Sequence, residues 1–472
     1  MLPVKVDVIS KSEIDLIMEQ TYELLEETGV DIKNEEALDL LMHAGCSSSG
    51  TVTKIPRQLI KSAIETAPSC IEIFDRNGKS AMKLTGMNSY FGPGPTCPNF
   101  FDPQTGERRR AIKQDAADTA CLCQALPNID FVMSLCSIGD VPVNLADVYE
   151  MDAMLRNTTK PIVGWSFTGE NLQKIIDMCA VVAGSLEALQ EKPFVIIYAE
   201  PITPFIQPDE SLNKLMLLAR NKIPVVYSPG MILGATCPTT IAGALSVGLV
   251  DALAGLLVSQ LVSEGAPFIS VSAAGPMDMM HMQHAYGAPE AALMNAAACS
   301  IFHDIGIPVF GVAGASDSKA ACDGQTAAET MLQILFSISA GGNLTHDIGF
   351  MDAGLTGSLS SLVMCDELIG MARRFMRGFR VDDECLAKEV IQEVGIGGNY
   401  LAEEHTLEHF RDEFWVPKLF DRRPYEAWEN DGGKDLKSRC DDKVREILAK
   451  RQVPPLADDV LIKLDSLIEA LS

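Results

Sequence analysis

The sequence predicts an α/β protein: a (β/α)8 barrel with a small N-terminal α+β domain and a C-terminal helical extension. Three observations carry this. Short, nearly continuous apolar runs recur from about residue 86, each followed by a helical stretch. There are eight such pairs over roughly 290 residues. Apolar strands alternating with helices imply a parallel sheet covered on both faces, and eight units close into a barrel. A doubly wound open sheet is the competing architecture, but no Gly-x-Gly-x-x-Gly follows an early strand to support it. The domain limits read from the pattern are 1–85, 86–380 and 381–472.

In the first domain, 10–29 reads as a helix with Ile14, Leu16, Ile17, Tyr22, Leu24 and Leu25 as apolar positions and Gly29 as its stop. Residues 35–43 and 56–66 give two more helices. The stretch 70–74 alternates like a strand, Asn77-Gly78 is a hairpin turn, and 81–84 returns. The barrel strands start near Ser89, Phe131, Pro161, Phe194, Pro224, Phe268, Pro308 and Leu344. Their helices are expected at 113–125, 147–156, 171–185, 211–220, 241–263, 289–303, 325–339 and 360–377. The stretch 241–262 is apolar enough to imitate a membrane span, but Asp251, Gln260 and many small residues mark it as a buried barrel helix. Beyond 380 the chain is charged and helical, and this tail packs on the barrel or on a neighbouring subunit.

Composition excludes several functions. With 38 basic against 64 acidic residues the net charge is −26, which argues against a nucleic-acid surface and against anionic membrane. The 13 cysteines are scattered with no disulfide framework, and the first residues have no apolar core of a signal peptide. Both features suit the cytoplasm.

Barrel chemistry sits at the C-terminal ends of the strands. Those ends supply Tyr90 and Phe91, then Cys136 and Asp140, Trp165 and Phe167, Tyr198 and Glu200, Tyr227, then Ser272, Met277, His281 and His284, then Asp317 and Lys319, and finally His346, Asp347 and Phe350. His346, on the stretch 343–351 around which the barrel reading is organised, is the best-placed histidine. Aromatics are 6% of the chain, yet several strand ends carry one. Such a mouth suits a quaternary ammonium held by cation–π attraction, or else the rings fill the barrel top. His281 and His284, and His405 and His409, have spacings a metal could use, but neither pair has evident third and fourth ligands, so no metal is expected. Lys319 has the position of a Schiff-base lysine, with Asp317 and Asp323 beside it to keep it protonated.

Residues 311–319 (Gly-Val-Ala-Gly-Ala-Ser-Asp-Ser-Lys), 323–330 (Asp-Gly-Gln-Thr-Ala-Ala-Glu-Thr) and 287–293 (Gly-Ala-Pro-Glu-Ala-Ala-Leu) resemble segments of the trimethylamine methyltransferase superfamily. The tail 397–411, with Trp415, Pro417, Leu419 and Arg422, is similar to that family's C-terminal signature. The resemblance implies a TIM barrel that moves a methyl group from an amine to the cobalt of a corrinoid (cobalamin) carried by a separate partner protein. The namesake enzymes carry pyrrolysine; this chain has only the twenty standard residues. It therefore resembles the branch acting on glycine betaine, proline betaine or carnitine. The expected reaction is transfer of an N-methyl group from a betaine-type quaternary amine to Co(I) by a homo-oligomeric cytoplasmic enzyme. Strand-end placement nominates Tyr90, Phe91, Trp165, Tyr198, Tyr227 and Phe350 for the cation cage. It nominates His346 for the substrate carboxylate, and Asp317 and Glu200 for the cation. A metal- or lysine-dependent barrel lyase and a non-catalytic betaine-binding protein are the alternatives.

Overall fold

The apolar runs pair side by side in one direction. In the computed structural model, which describes residues 4–271 and 274–471, Ile162–Trp165 pairs with Val195–Ala199, then Val225–Tyr227, then Phe268–Ser270, all parallel. A parallel bridge from Ser270 to Val309 leads to Phe310–Val312, which pairs with Leu344–Ile348, which pairs with Tyr90–Pro93. Residues 130–135 cross the remaining gap. The amides of Asp130 and Leu135 donate to the carbonyls of Phe91 and Gly94, and Val132 bridges Ile162. The pairings thus return to their starting strand. The second run, expected as a strand from Phe131, is reduced to that bridge because Leu135 turns to a left-handed φ of 63°.

Mixed α/β order is evident in the helices as well. Lys113–Ala125 and Pro289–Asp304 occupy their expected places, and the others begin and end within about two residues of expectation. Local chemistry sets these limits. Asp323 accepts from the Thr326 amide to start Gly324–Ala340, and Gly341 ends it at φ 80°. Ser10 and Glu13 close a reciprocal capping box on Lys11–Glu27. The apolar helix Ile241–Val262 packs under Lys11–Glu27, Arg57–Thr66 and Asp209–Asn221, with 83% of its most apolar window buried. A helix that is hydrophobic all round needs such complete cover.

The N-terminal residues are tied to the rest by a strand pair: Val30–Ile32 runs antiparallel to Val52–Lys54 and parallel to Ile206–Gln207. At the other end, Leu436–Lys450 buries Cys440, Val444 and Ile447 and packs against Leu359–Met376. Glu367 Oε1 accepts the successive amides of Lys418, Leu419 and Phe420, which pins the tail to that helix.

Candidate active site

A cavity of about 130 Å³ opens where the parallel strands end. Its wall takes Tyr198, Val312, His346 and Asp347 from three strands, Ser228–Met231 and Val271 from two strand exits, and Asn295 and Gln333 from two helices. Gly275, His284 and Tyr286 come from a hairpin, Ala274–Asp278 with Gln283–His284, that follows the sixth strand. Ser272, an expected strand-end residue, lies outside the described residues. The hairpin is held beside the strand ends by parallel pairing with Met231–Leu233.

His346 sits within its strand, stacked on Phe310 with ring centroids 3.9 Å apart. Its Nδ1 donates to the Gly311 carbonyl at 2.8 Å, and its Nε2 lies 3.3 Å from Asp347 Oδ1. A carbonyl can only accept, so Nδ1 carries a proton. Burial raises the Asp347 pKa, opposed by His346. Asp347 has a left-handed φ of 77°, at the point where the register between this strand and Tyr90–Pro93 shifts. That kink is what brings two consecutive side chains to one cavity, against the alternation of a regular strand.

Tyr198 donates to Glu200 Oε2 at 2.6 Å, and its ring lies 5.8 Å from Phe310. Burial and the neighbouring Glu200 keep its hydroxyl protonated. Tyr286 faces His284 at 4.2 Å and is backed edge-on by Phe350 at 6.4 Å. Among the described residues, no lysine or arginine lines the cavity. The site therefore combines aromatic faces with a buried carboxyl, and is suited to a cation.

Several residues expected at the site from their strand-end positions lie elsewhere. Phe91 is wholly buried, with the Arg373 guanidinium 5.9 Å from its ring, and Tyr90 accepts the Lys83 amide at 3.1 Å on the far end of its strand. Tyr227 points outward into the helix layer against Gly255 and donates to Gln207. Trp165 gives its indole N–H to Glu150 at 2.8 Å. None of these four lines the cavity, and Phe350 stands behind its wall. Both oxygens of Asp317 are occupied, accepting the amides of Tyr286 and Gly287 at 3.0 and 2.9 Å, so Asp317 positions Tyr286 instead of facing a cation. His346, expected to receive a carboxylate, has both nitrogens in contacts within the protein. Tyr198 is brought into the wall, with Glu200 behind it. Tyr286 is a wall residue absent from the strand-end candidates, while His284 and Asp347 are among those candidates but carry no substrate-binding assignment. Regular alternation does not predict that they face the cavity, since His284 and Tyr286 lie on a fold-back and Asp347 on a kink.

Lys319 is exposed and donates to the Asp317 carbonyl at 2.6 Å, outside the cavity wall. His281 is bound to Asp278 at 2.8 Å on the exposed side of the hairpin. Among the described residues, no group of three or more His, Cys, Asp or Glu is placed to hold a metal.

A cavity at the strand ends of a parallel α/β fold, lined by rings and a carboxyl, has the form of a small-molecule site. The comparisons with known proteins specify it further. The chain belongs to the trimethylamine methyltransferase (MTTB) family, whose profile matches residues 3–470, and it is a methyltransferase. It is 32% identical over 463 residues to a trimethylamine methyltransferase of Desulfitobacterium hafniense (strain DSM 10664 / DCB-2), covering 98% of this chain and 93% of the relative. It is 27% identical over 466 residues to the glycine betaine methyltransferase of Desulfitobacterium hafniense (strain Y51), covering 98% and 97%. The fold matches the crystal structure of the Methanosarcina barkeri monomethylamine methyltransferase with a TM-score of 0.53 at 12% identity, over 96% of this chain and 90% of the other.

Proposed function

We propose that the ring of parallel strands is a (β/α)8 barrel, and that the enzyme transfers an N-methyl group from a betaine-type quaternary amine to Co(I) of a separate corrinoid protein. The observation that carries the substrate class is the cavity wall: Tyr198 and Tyr286 with Asp347 and, among the described residues, no lysine or arginine. Ring faces attract a trimethylammonium group, and the buried carboxyl supplies the compensating charge. A cation bound beside Asp347 favours its ionised form, so binding and ionisation reinforce each other.

The reaction asks little else of the protein. The Co(I) electron pair of the corrinoid substrate forms a bond to the methyl carbon as the carbon–nitrogen bond breaks. The bonding pair stays on nitrogen, and a neutral tertiary amine leaves without needing a proton. The chain's tasks are to strip water from the cation and aim one methyl outward. Trimethylamine lacks the built-in charge, and the site offers it no covalent activation: Lys319 is turned away from the cavity.

Glycine betaine incubated with the enzyme and a reduced corrinoid protein tests this. Dimethylglycine and methylated corrinoid, formed in equal amounts by NMR and absorbance, are expected. Product without corrinoid methylation contradicts the reaction.

A further inference from the structure

We infer that His284 is the specificity-determining residue of the cavity, donating from Nε2 to the carboxylate of a zwitterionic quaternary amine. The inference rests on the quaternary-amine reading and goes beyond it to the anionic end of the substrate. Four observations lead here. The wall carries no lysine or arginine among the described residues, so a substrate carboxylate needs a neutral donor. His346 has Nδ1 on the Gly311 carbonyl, and its Nε2 faces Asp347 Oδ1 at 3.3 Å. Of the buried side-chain atoms left without a partner among the described residues, His284 Nε2 alone belongs to a residue of the cavity wall. A buried polar atom without a partner costs free energy that a ligand recovers on binding.

The local structure supports a donor at this place. His284 pairs across the hairpin with Met277 and packs its ring on Tyr286, so its position is tied to the ring that faces the ammonium. A Cβ on Gly275 would stand 2.3 Å from His284 Nε2, so the absence of a side chain there is what lets the imidazole lie against the wall. Burial pushes the His284 pKa down to about 4, with no carboxylate to oppose it. The ring is therefore neutral near pH 7, with one nitrogen protonated. A quaternary ammonium has no N–H to offer an accepting Nε2, whereas a carboxylate matches the Nε2–H tautomer. The donor on the hairpin and the carboxyl of Asp347 on the strand would then hold opposite ends of the zwitterion.

Calorimetric titration of the whole enzyme with glycine betaine and with choline separates the possibilities. Choline keeps the trimethylammonium group and lacks the carboxylate. Wild type is expected to bind both. In His284→Ala, glycine betaine should weaken about tenfold to a hundredfold, the loss of one hydrogen bond to a charged group, while choline stays within about twofold. His284→Gln, which keeps an N–H, should regain part of the loss. Melting temperatures confirm that the variants fold. If His284→Ala binds glycine betaine as wild type does, or loses both ligands equally, the role of His284 is overturned while the quaternary-amine reading stands. A wild type that binds neither ligand overturns that reading, and this role with it.

Discussion

His346 Nε2 lies 3.3 Å from Asp347 Oδ1, and both side chains line the cavity. The pair is adjacent in sequence on a strand, where neighbours normally point to opposite faces. The left-handed φ of Asp347 makes the contact possible. This pairing sets the first prediction. Asn tolerates the left-handed region better than most residues. Asp347→Asn should therefore fold with a melting temperature equal to or above wild type, since it also removes a buried charge. It should weaken choline and glycine betaine together by tenfold or more, because both lose the same charge partner. Calorimetry and thermal unfolding check both halves.

His346→Ala removes the stack on Phe310 and the side-chain hydrogen bond to the Gly311 carbonyl, the latter worth about 0.5–1.5 kcal/mol. Activity should fall by a similar factor with glycine betaine and with choline, because the ring has no free donor for a carboxylate. A loss confined to glycine betaine would instead restore His346 as the carboxylate residue.

The rings separate in the same way. Tyr286→Ala should reduce quaternary-amine affinity about fivefold or more, the value of a partly desolvated cation–π contact. Trp165→Phe should leave affinity unchanged and lower the melting temperature, since it strands the Glu150 carboxyl that holds the indole N–H. Binding and melting curves on the two variants decide which ring belongs to the cage.

Glu150 gives a pH signature. Burial raises its pKa from 4.5 to about 7. Between those values the folded protein keeps a proton that the unfolded chain has released, so this group's contribution to stability is present in full below pH 4.5 and declines as pH rises to 7. Asp251, also raised to about 7 by burial, acts in the same direction. Glu150→Gln should flatten the fall in melting temperature between pH 5 and 7 by about 1–3 °C. A variant whose pH profile parallels wild type would contradict the assignment.

The fold was legible because it depends on local signals. Asp323 and Gly341 bracket the helix Gly324–Ala340 by capping chemistry alone, and the buried apolar strands announce parallel pairing. Half of the site was not legible, for reasons of parity and fold-back. Tyr198 and Tyr227 end neighbouring strands, and sequence treats them alike. One faces the cavity, while the other turns outward onto Gly255, and a shift of one residue decides which. His284 and Tyr286 reach the cavity only because their hairpin returns along Met231–Leu233, a pairing with no mark in either segment. Asp347 is legible as a strand-end residue, but regular alternation would turn it away from the face of His346, and only its left-handed kink brings both to the cavity.

The central claim is that the cavity is built for a quaternary amine. It is tested most directly by the initial rate of corrinoid methylation with glycine betaine against trimethylamine at equal concentration. The rate is followed as the Co(I) spectrum converts to that of methyl-Co(III). The site described here predicts turnover with glycine betaine and none above background with trimethylamine. Trimethylamine as the faster donor, or no turnover with any quaternary amine, would contradict it.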